Sequence, residues 1–211
     1  MLFRSQRAAA RLGRLGYSQV SVLEGGTQAW AEAGYELFSG VNVPSKAFGE
    51  FIEHEYGTPS LSAEELKAKL DAGEKLVILD SRPVEEYEDM NIPGGICVPG
   101  GELVYRVHDL APSPDTLVVV NCAGRTRSII GAQSLINAGI PNRIIALRNG
   151  TMGWHLAGYA LEHGSERLAP PVSPEGLRKA RTAAADVSRR FGVRTIDHGT
   201  FARWLSERNE R

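Results

Sequence analysis

The densest chemistry in this 211-residue chain lies in six consecutive residues, Cys122-Ala123-Gly124-Arg125-Thr126-Arg127, where a cysteine, small residues and two cations occur together. A tight loop of small residues leading into a helix presents backbone N–H groups, and these together with the helix dipole favour negative charge at the loop's centre. A thiolate is such a charge. Amides, dipole and guanidinium groups stabilise the anion over the thiol, so the residue types and their spacing predict a nucleophilic Cys122 near neutrality. Free cysteine otherwise serves as a small apolar filler of cores. Two arginines within five residues argue against that role here, because ordinary core positions do not sit beside cations at the mouth of a strand.

The elements that must position this loop are readable on either side of it. Leu117 to Val120 is a β-branched apolar run, and Ser128 onward puts Ile129, Ala132 and Leu135 or Ile136 on one helix face, closed by Gly139. A second strand, Leu76 to Leu79, delivers Asp80 and Arg82 at its carboxyl end, where ligands of open α/β sheets bind. Ser62-Ala63-Glu64-Glu65 is a capping box opening a helix through Leu70. Glu85 to Tyr87 opens a short helix, and Ile92 to Gly95 turns into a strand at Ile96 to Val98, with Cys97 a core residue. Ile144 to Leu147 is the last strand, followed by a turn at Asn149-Gly150 and a helix anchored by Trp154.

Composition narrows the function classes. Hydrophobic content of 42% with 23% charged residues is globular, and 24 Lys and Arg against 25 Asp and Glu give no general attraction to nucleic acid or anionic membrane. The arginines by Cys122 are then a local field suited to a small anion. Two cysteines make no disulfide framework, and no CxxC or Cys/His metal spacing occurs. A reducing cytoplasm fits that cysteine usage; separately, the start MLFRSQRAAARLG has no apolar core long enough for a signal peptide, and no run approaches a membrane span.

The run CAGRTRS resembles the active-site loop of the rhodanese family of sulfurtransferases. LVILDSRPVEEYEDMNIPGGICVPG (76 to 100) is similar to the family's amino-terminal signature, and IIALRNGTMGWHLAGYAL (144 to 161) to its closing one. Order and spacing agree, and the resemblance covers about half of the chain. It implies an α/β fold, a parallel sheet flanked by helices on both faces. It also implies a Cys122 persulfide, formed by attack on the outer sulfur of a donor such as thiosulfate and consumed by cyanide or a thiol, with no metal or organic cofactor. Arg125 and Arg127 would hold the donor's oxygens, and the amides of residues 123 to 127 would surround the persulfide. Thr126 and Ser128 offer hydroxyl donors, Ser128 alternatively serving as the helix N-cap. In relatives the Asp of the strand motif braces the loop, so Asp80 and Arg82 are expected to be structural.

A dual-specificity phosphatase of the related fold is the sharpest rival. It needs Cys-x5-Arg, whereas four residues separate Cys122 from Arg127, and Asn121 stands where the phosphatases have histidine. Arsenate reduction is a lesser variant. A non-catalytic persulfide carrier or docking module needs the same thiolate and stays open.

Residues 5 to 37 repeat the pattern of 128 to 161: Leu15-Gly16 matches Ala138-Gly139, Val20 to Leu23 matches Ile144 to Leu147, and Trp30 matches Trp154. The expected organisation is therefore a carboxy-terminal half domain lacking its cysteine (1–40), a connector (41–59), a complete domain (60–164), a linker and basic helix with a solvated face (165–192) and the start of a further truncated domain (193–211). Ile196, Asp197 and Leu205 of that last piece match Leu61, Ser62 and Leu70. The expectation is a truncated or internally initiated piece of a tandem protein, able to form a homodimer by swapping the half domain. In the connector, Phe48, Phe51, Ile52 and Tyr56 have the spacing of a helix packed between units. Arg106 and His108, in a segment that lines the pocket in relatives, are read as a solvated helix face, as are His54, Glu55, His155 and His163.

Overall fold

A computed structural model describes residues 2–35 and 44–207, and divides the chain into two compact units, Met1–Pro44 and Ser45–Arg211. Parts of the expected half domain (36–40), connector (41–43) and last segment (208–211) lie outside the described residues. No helix among the described residues is long and apolar enough to cross a membrane.

The first unit contributes α1 (Leu2–Arg14) and α2 (Gly26–Glu32). The second runs α3 (Pro44–Tyr56), β1 (Ser60–Leu61), α4 (Ala63–Asp71), β2 (Leu76–Asp80), α5 (Val84–Asp89), β3 (Ile96–Cys97), α6 (Leu103–Leu110), β4 (Leu117–Asn121), α7 (Thr126–Asn137), β5 (Ile144–Leu147), α8 (Gly150–Leu156), α9 (Pro174–Arg190) and α10 (His198–Ser206). The five strands form one sheet in the order β1-β5-β4-β2-β3, every pairing parallel. This is the α/β sheet the sequence predicts, with β1 added at an edge.

β4 is central and wholly buried. Its side chains alternate between faces. Val118 and Val120 join Leu103, Val107, Ile129, Ala132 and Leu135 under α6 and α7, while Leu117 and Val119 join Leu61, Leu66, Ile145, Leu147 and Trp154 on the other face. Each such side chain contributes roughly 1.5–3 kcal/mol on burial, so β4 is held from both sides and its carboxyl end is a rigid platform. After β2 the chain moves to β3 on one side, and after β4 to β5 on the other. The crevice where these connections part lies at the carboxyl ends of β2 and β4.

Two expectations are corrected. Residues 20–23 form no strand, although their counterparts are β5. In β5 the ladder bonds come from β4 and β1, and the first unit contains no strand among its described residues to supply them. Within the second unit, Ile52 of the connector helix α3 packs on the core. Finally, residues past 164 are part of the domain. Cys97 and Leu168 form a parallel bridge, the Cys97 N–H donating to Arg167 O at 2.9 Å. α9 then packs on α6, burying Gly176, Ala180 and Ala183. Asp109 accepts from Ser173 N at 2.8 Å and Ser173 Oγ at 2.6 Å, capping α9 from α6, and Arg106 Nη1 donates to Pro170 O at 2.8 Å.

α6 is thus an interface, not a solvated face. His108 Nε2 is buried there without a protein partner among the described residues. Burial, then Lys179 of α9, push the His108 pKa below its ordinary value of 6.5 against an opposing pull from Asp109. The unfolded chain takes up this proton first, so the stability contribution is complete above the ordinary value and is lost as pH falls through the folded one. Asp109 is itself depressed below 3.8 and acts only at lower pH. Urea midpoints of the wild type should therefore drop between about pH 7 and 5, and His108→Gln should flatten that drop.

Candidate active site

Cys122 follows the last residue of β4 and is 2% exposed. Its Sγ lies 3.6 Å from Ser128 Oγ, whose own hydrogen goes to the Arg125 carbonyl at 2.8 Å. α7 begins at Thr126 with Arg125 in the N-cap position, so Ser128 sits inside the first helical turn and is not the cap. Among the described residues, the amides of 123 to 127 donate no backbone hydrogen bond, as the cap and first turn of a helix require of 125 to 127.

The loop is held from behind by α8. Thr151 N–H donates to the Cys122 carbonyl at 2.8 Å and Met152 N–H to the Ala123 carbonyl at 2.9 Å. In a planar trans peptide the N–H points opposite to the C=O. The amides of Ala123 and Gly124 are therefore turned away from α8, to the open side of the loop. Gly150 makes this contact feasible: a Cβ there would sit 2.1 Å from Cys122 O and 2.9 Å from Gly124 O, and its φ of +51° is left-handed. Asn149 before it is also left-handed, at φ 61°, a conformation Asn tolerates.

Below the loop lies a buried polar network. Arg82 donates from Nε to Asp80 Oδ1 at 2.8 Å and from Nη2 to Asp80 Oδ2 at 2.7 Å, both side chains being almost fully buried. Arg82 Nη2 also donates to Met90 O at 2.6 Å. Asn121 Nδ2 donates to Asp80 Oδ2 at 2.8 Å and to Thr151 Oγ1 at 2.9 Å. The network thus ties the end of β2 to the end of β4 and both to α8. Both carboxylate oxygens of Asp80, and Nε and Nη2 of Arg82, are engaged within this network. Cys97 lies in the same layer, its thiol pushed up to about 11, first by burial and then by the Asp80 charge; it is a core thiol.

The two loop arginines behave differently. Arg127 is paired with Glu86 of α5 through two hydrogen bonds of 2.8 and 2.7 Å. Glu86 raises its pKa most, through the paired hydrogen bonds. Arg125 turns to α3, bound by Glu50 at 2.8 and 3.1 Å and by Glu53. The rim is not the cationic field that the loop sequence suggests, since three carboxylates meet two guanidinium groups. Sequence reasoning missed Glu50, Glu53 and Glu86. Glu50 and Glu53 carried a weak signal, an i, i+3 acidic pair on the α3 face that also bears Gly49. Gly49 is itself required, because a Cβ would meet Thr126 Cγ2 at 2.8 Å. Among the described residues, no group of three His, Cys, Asp or Glu side chains could hold a metal ion.

The Rhodanese-like domain family matches residues 62–157. The crystal structure of thiosulfate sulfurtransferase from Pseudomonas aeruginosa is 57% identical, with a TM-score of 0.76, over 96% of this chain and 38% of that one. A putative sulfur carrier protein of Bacillus subtilis, YrkF, is 28% identical over 60% of this chain and 71% of its own length. The HTH-type transcriptional regulator Rv0324 of Mycobacterium tuberculosis is 31% identical over 52% of this chain and 48% of its own. The chain thus spans less than half of the Pseudomonas enzyme and of the regulator.

Because Gly150 is both left-handed and in contact with the loop carbonyls, Gly150→Ala should lose at least about 3 kcal/mol of unfolding free energy. Gly94→Ala, at φ +79° with nothing within 4 Å of its Cβ, should lose only about 1 kcal/mol. Paired denaturant titrations read the difference.

Proposed function

Residues 62–157 belong to the rhodanese-like domain family, and from that premise we propose that the chain is a sulfurtransferase working through a persulfide on Cys122. The observation that carries this reading is the tie between the Cys122 and Ala123 carbonyls and α8. It leaves the opposite edges of those peptide units free to face an anion on the sulfur.

The Cys122 thiolate attacks the outer sulfur of thiosulfate. The S–S bond breaks, sulfite leaves with the bonding pair, and Cys122 carries a persulfide. An acceptor thiolate or cyanide then attacks the outer persulfide sulfur, and the Cys122 thiolate leaves. The amides of Ala123, Gly124, Arg125, Thr126 and Arg127 form the cradle, the role backbone donors play for an oxyanion. The Thr126 and Ser128 hydroxyls can turn toward the new charge. Arg127 is the cation that meets the donor, while Asp80 and Arg82 brace the strand ends. Two free cysteines fit a reducing compartment such as the cytoplasm. The first unit reads as the closing half of a second such domain, since its left-handed Gly25-Gly26 and Gly34 and its Trp30–Tyr35 contact parallel Asn149-Gly150, Gly158 and Trp154–Tyr159.

A carrier reading has one specific support, the sulfur carrier named among the relatives. Continuous release of thiocyanate from thiosulfate and cyanide marks an enzyme, and a single stoichiometric loading marks a carrier.

Mass spectrometry after thiosulfate treatment should find one added sulfur on the Cys122 peptide and none on Cys97. Cys122→Ser should abolish loading and thiocyanate release, and release by that variant would overturn the assignment. Arg127→Ala should raise the KM for thiosulfate about tenfold, equivalent to about 1.4 kcal/mol of donor binding, with a smaller change in kcat.

A further inference from the structure

At the mouth of the loop, Arg125 carries Glu50 through both Nε and Nη2 and Glu53 through Nη2, while Arg127 carries Glu86. Three carboxylates against two guanidinium groups leave this rim with one net negative charge. A dianion approaching from water meets an occupied Arg125.

The position of α3 does not depend on these ion pairs alone. Ile52 packs on the core, and Gly49 fits against Thr126 with no space for a Cβ. The helix is seated by apolar contact and close backbone approach, and it presents Glu50 and Glu53 to the same loop residue. On the same helix, Glu55 is exposed.

Resting on the sulfurtransferase reading above, we infer that Glu50 and Glu53 are specificity-determining residues. They neutralise Arg125 and so set the site against the thiosulfate dianion in favour of a donor of lower charge, a thiol persulfide. With such a donor, Cys122 thiolate attacks the outer sulfur of R–S–SH. The S–S bond breaks, R–S⁻ leaves with the pair, and the sulfur and its proton pass to Cys122. No oxidant or reductant is consumed. The leaving group carries one charge where sulfite carries two.

The test compares timed sulfur loading of Cys122 in the full chain by thiosulfate and by the persulfide of 2-mercaptoethanol. Wild type, Glu50→Gln/Glu53→Gln, each single variant and Glu55→Gln are measured at low and high salt. In the double variant the thiosulfate rate should rise about tenfold at low salt, and the gain should shrink as salt screens the rim. The mercaptoethanol persulfide rate should change less than about twofold, because its approach senses the rim field weakly. Each single variant should give an intermediate thiosulfate gain, which keeps the test available should the double variant fold poorly. Glu55→Gln should match the wild type. A purely structural role for the ion pairs would slow both donors alike, and that result, or a fall in the thiosulfate rate alone, overturns the inference. If both donors load at an unchanged ratio, this inference falls and the sulfurtransferase reading stands. If neither donor loads the wild type, both fall together.

Discussion

The site depends on one close approach: the backbone of Gly150 set against the carbonyl of Cys122, with no volume between them for a side chain. From that contact the next two amides of α8, Thr151 and Met152, reach the carbonyls of Cys122 and Ala123. Peptide planarity converts these bonds into a direction for the amides on the far edge. A loop of small residues has many conformations available, and its donors converge on one point only if something fixes the opposite edge. Here the fixing is done by backbone alone. The sequence at 123 and 124 needs only to be small, while the strict requirement moves to residue 150, more than twenty positions away.

This arrangement transmits precision only if β4 and α8 are fixed relative to each other. The buried Asp80, Arg82, Asn121 and Thr151 network does this at the strand ends, in a layer where an unpaired charge would be costly. Replacing the ion pair with apolar side chains could match it for stability, but would lose the bond that Asn121 Nδ2 donates to Asp80, and with it the side-chain tie between the ends of β2 and β4. Asn121 Oδ1 has no partner among the described residues. An orphaned buried acceptor of this kind costs about 1–3 kcal/mol, so the amide is held for the two bonds that its nitrogen donates. Stability alone would not select it.

Much of this was legible in the sequence where the determinant is local. The runs at 76–79, 117–120 and 144–147 are short, apolar and bounded by turn residues, and they lie in β2, β4 and β5. The Ser62 capping box is present with both of its hydrogen bonds, and Asn149-Gly150 is the left-handed turn its residue types suggest. What failed was non-local. Basic residues on α9 conceal the stripe Gly176, Ala180 and Ala183, whose meaning appears only once α6 is known to face it. The charge at the loop could not be read from the loop, because its counter-charges come from α3 and α5. Ser128 has the residue type of a cap, but the helix opens three residues before such a cap would place it, with Arg125 as its N-cap.

The flanking segments separate local code from burial most clearly. Gly25-Gly26 are left-handed at φ 69° and 63°, as Asn149-Gly150 are, and Gly34 matches Gly158 at φ 81° and 87°. Trp30 and Tyr35 stack at 4.5 Å, Trp154 and Tyr159 at 4.8 Å. Asp197 caps α10 through Thr200 N–H as Ser62 caps α4 through Glu65 N–H. Caps, turns and helices are therefore written in short range. Yet Trp30 is 40% exposed where Trp154 is 3%, and Ile196 is 43% exposed where Leu61 is 4%. The difference is the sheet. A parallel strand has no hairpin partner beside it in sequence and must wait for a crossover to bring its neighbour. Residues 20–23 show the consequence: the same apolar pattern that makes β5 between β4 and β1 makes no strand in a unit whose described residues include neither counterpart. Helix ends are decided by a few adjacent residues, whereas the strand that carries the Cys122 loop is decided by chain far from it.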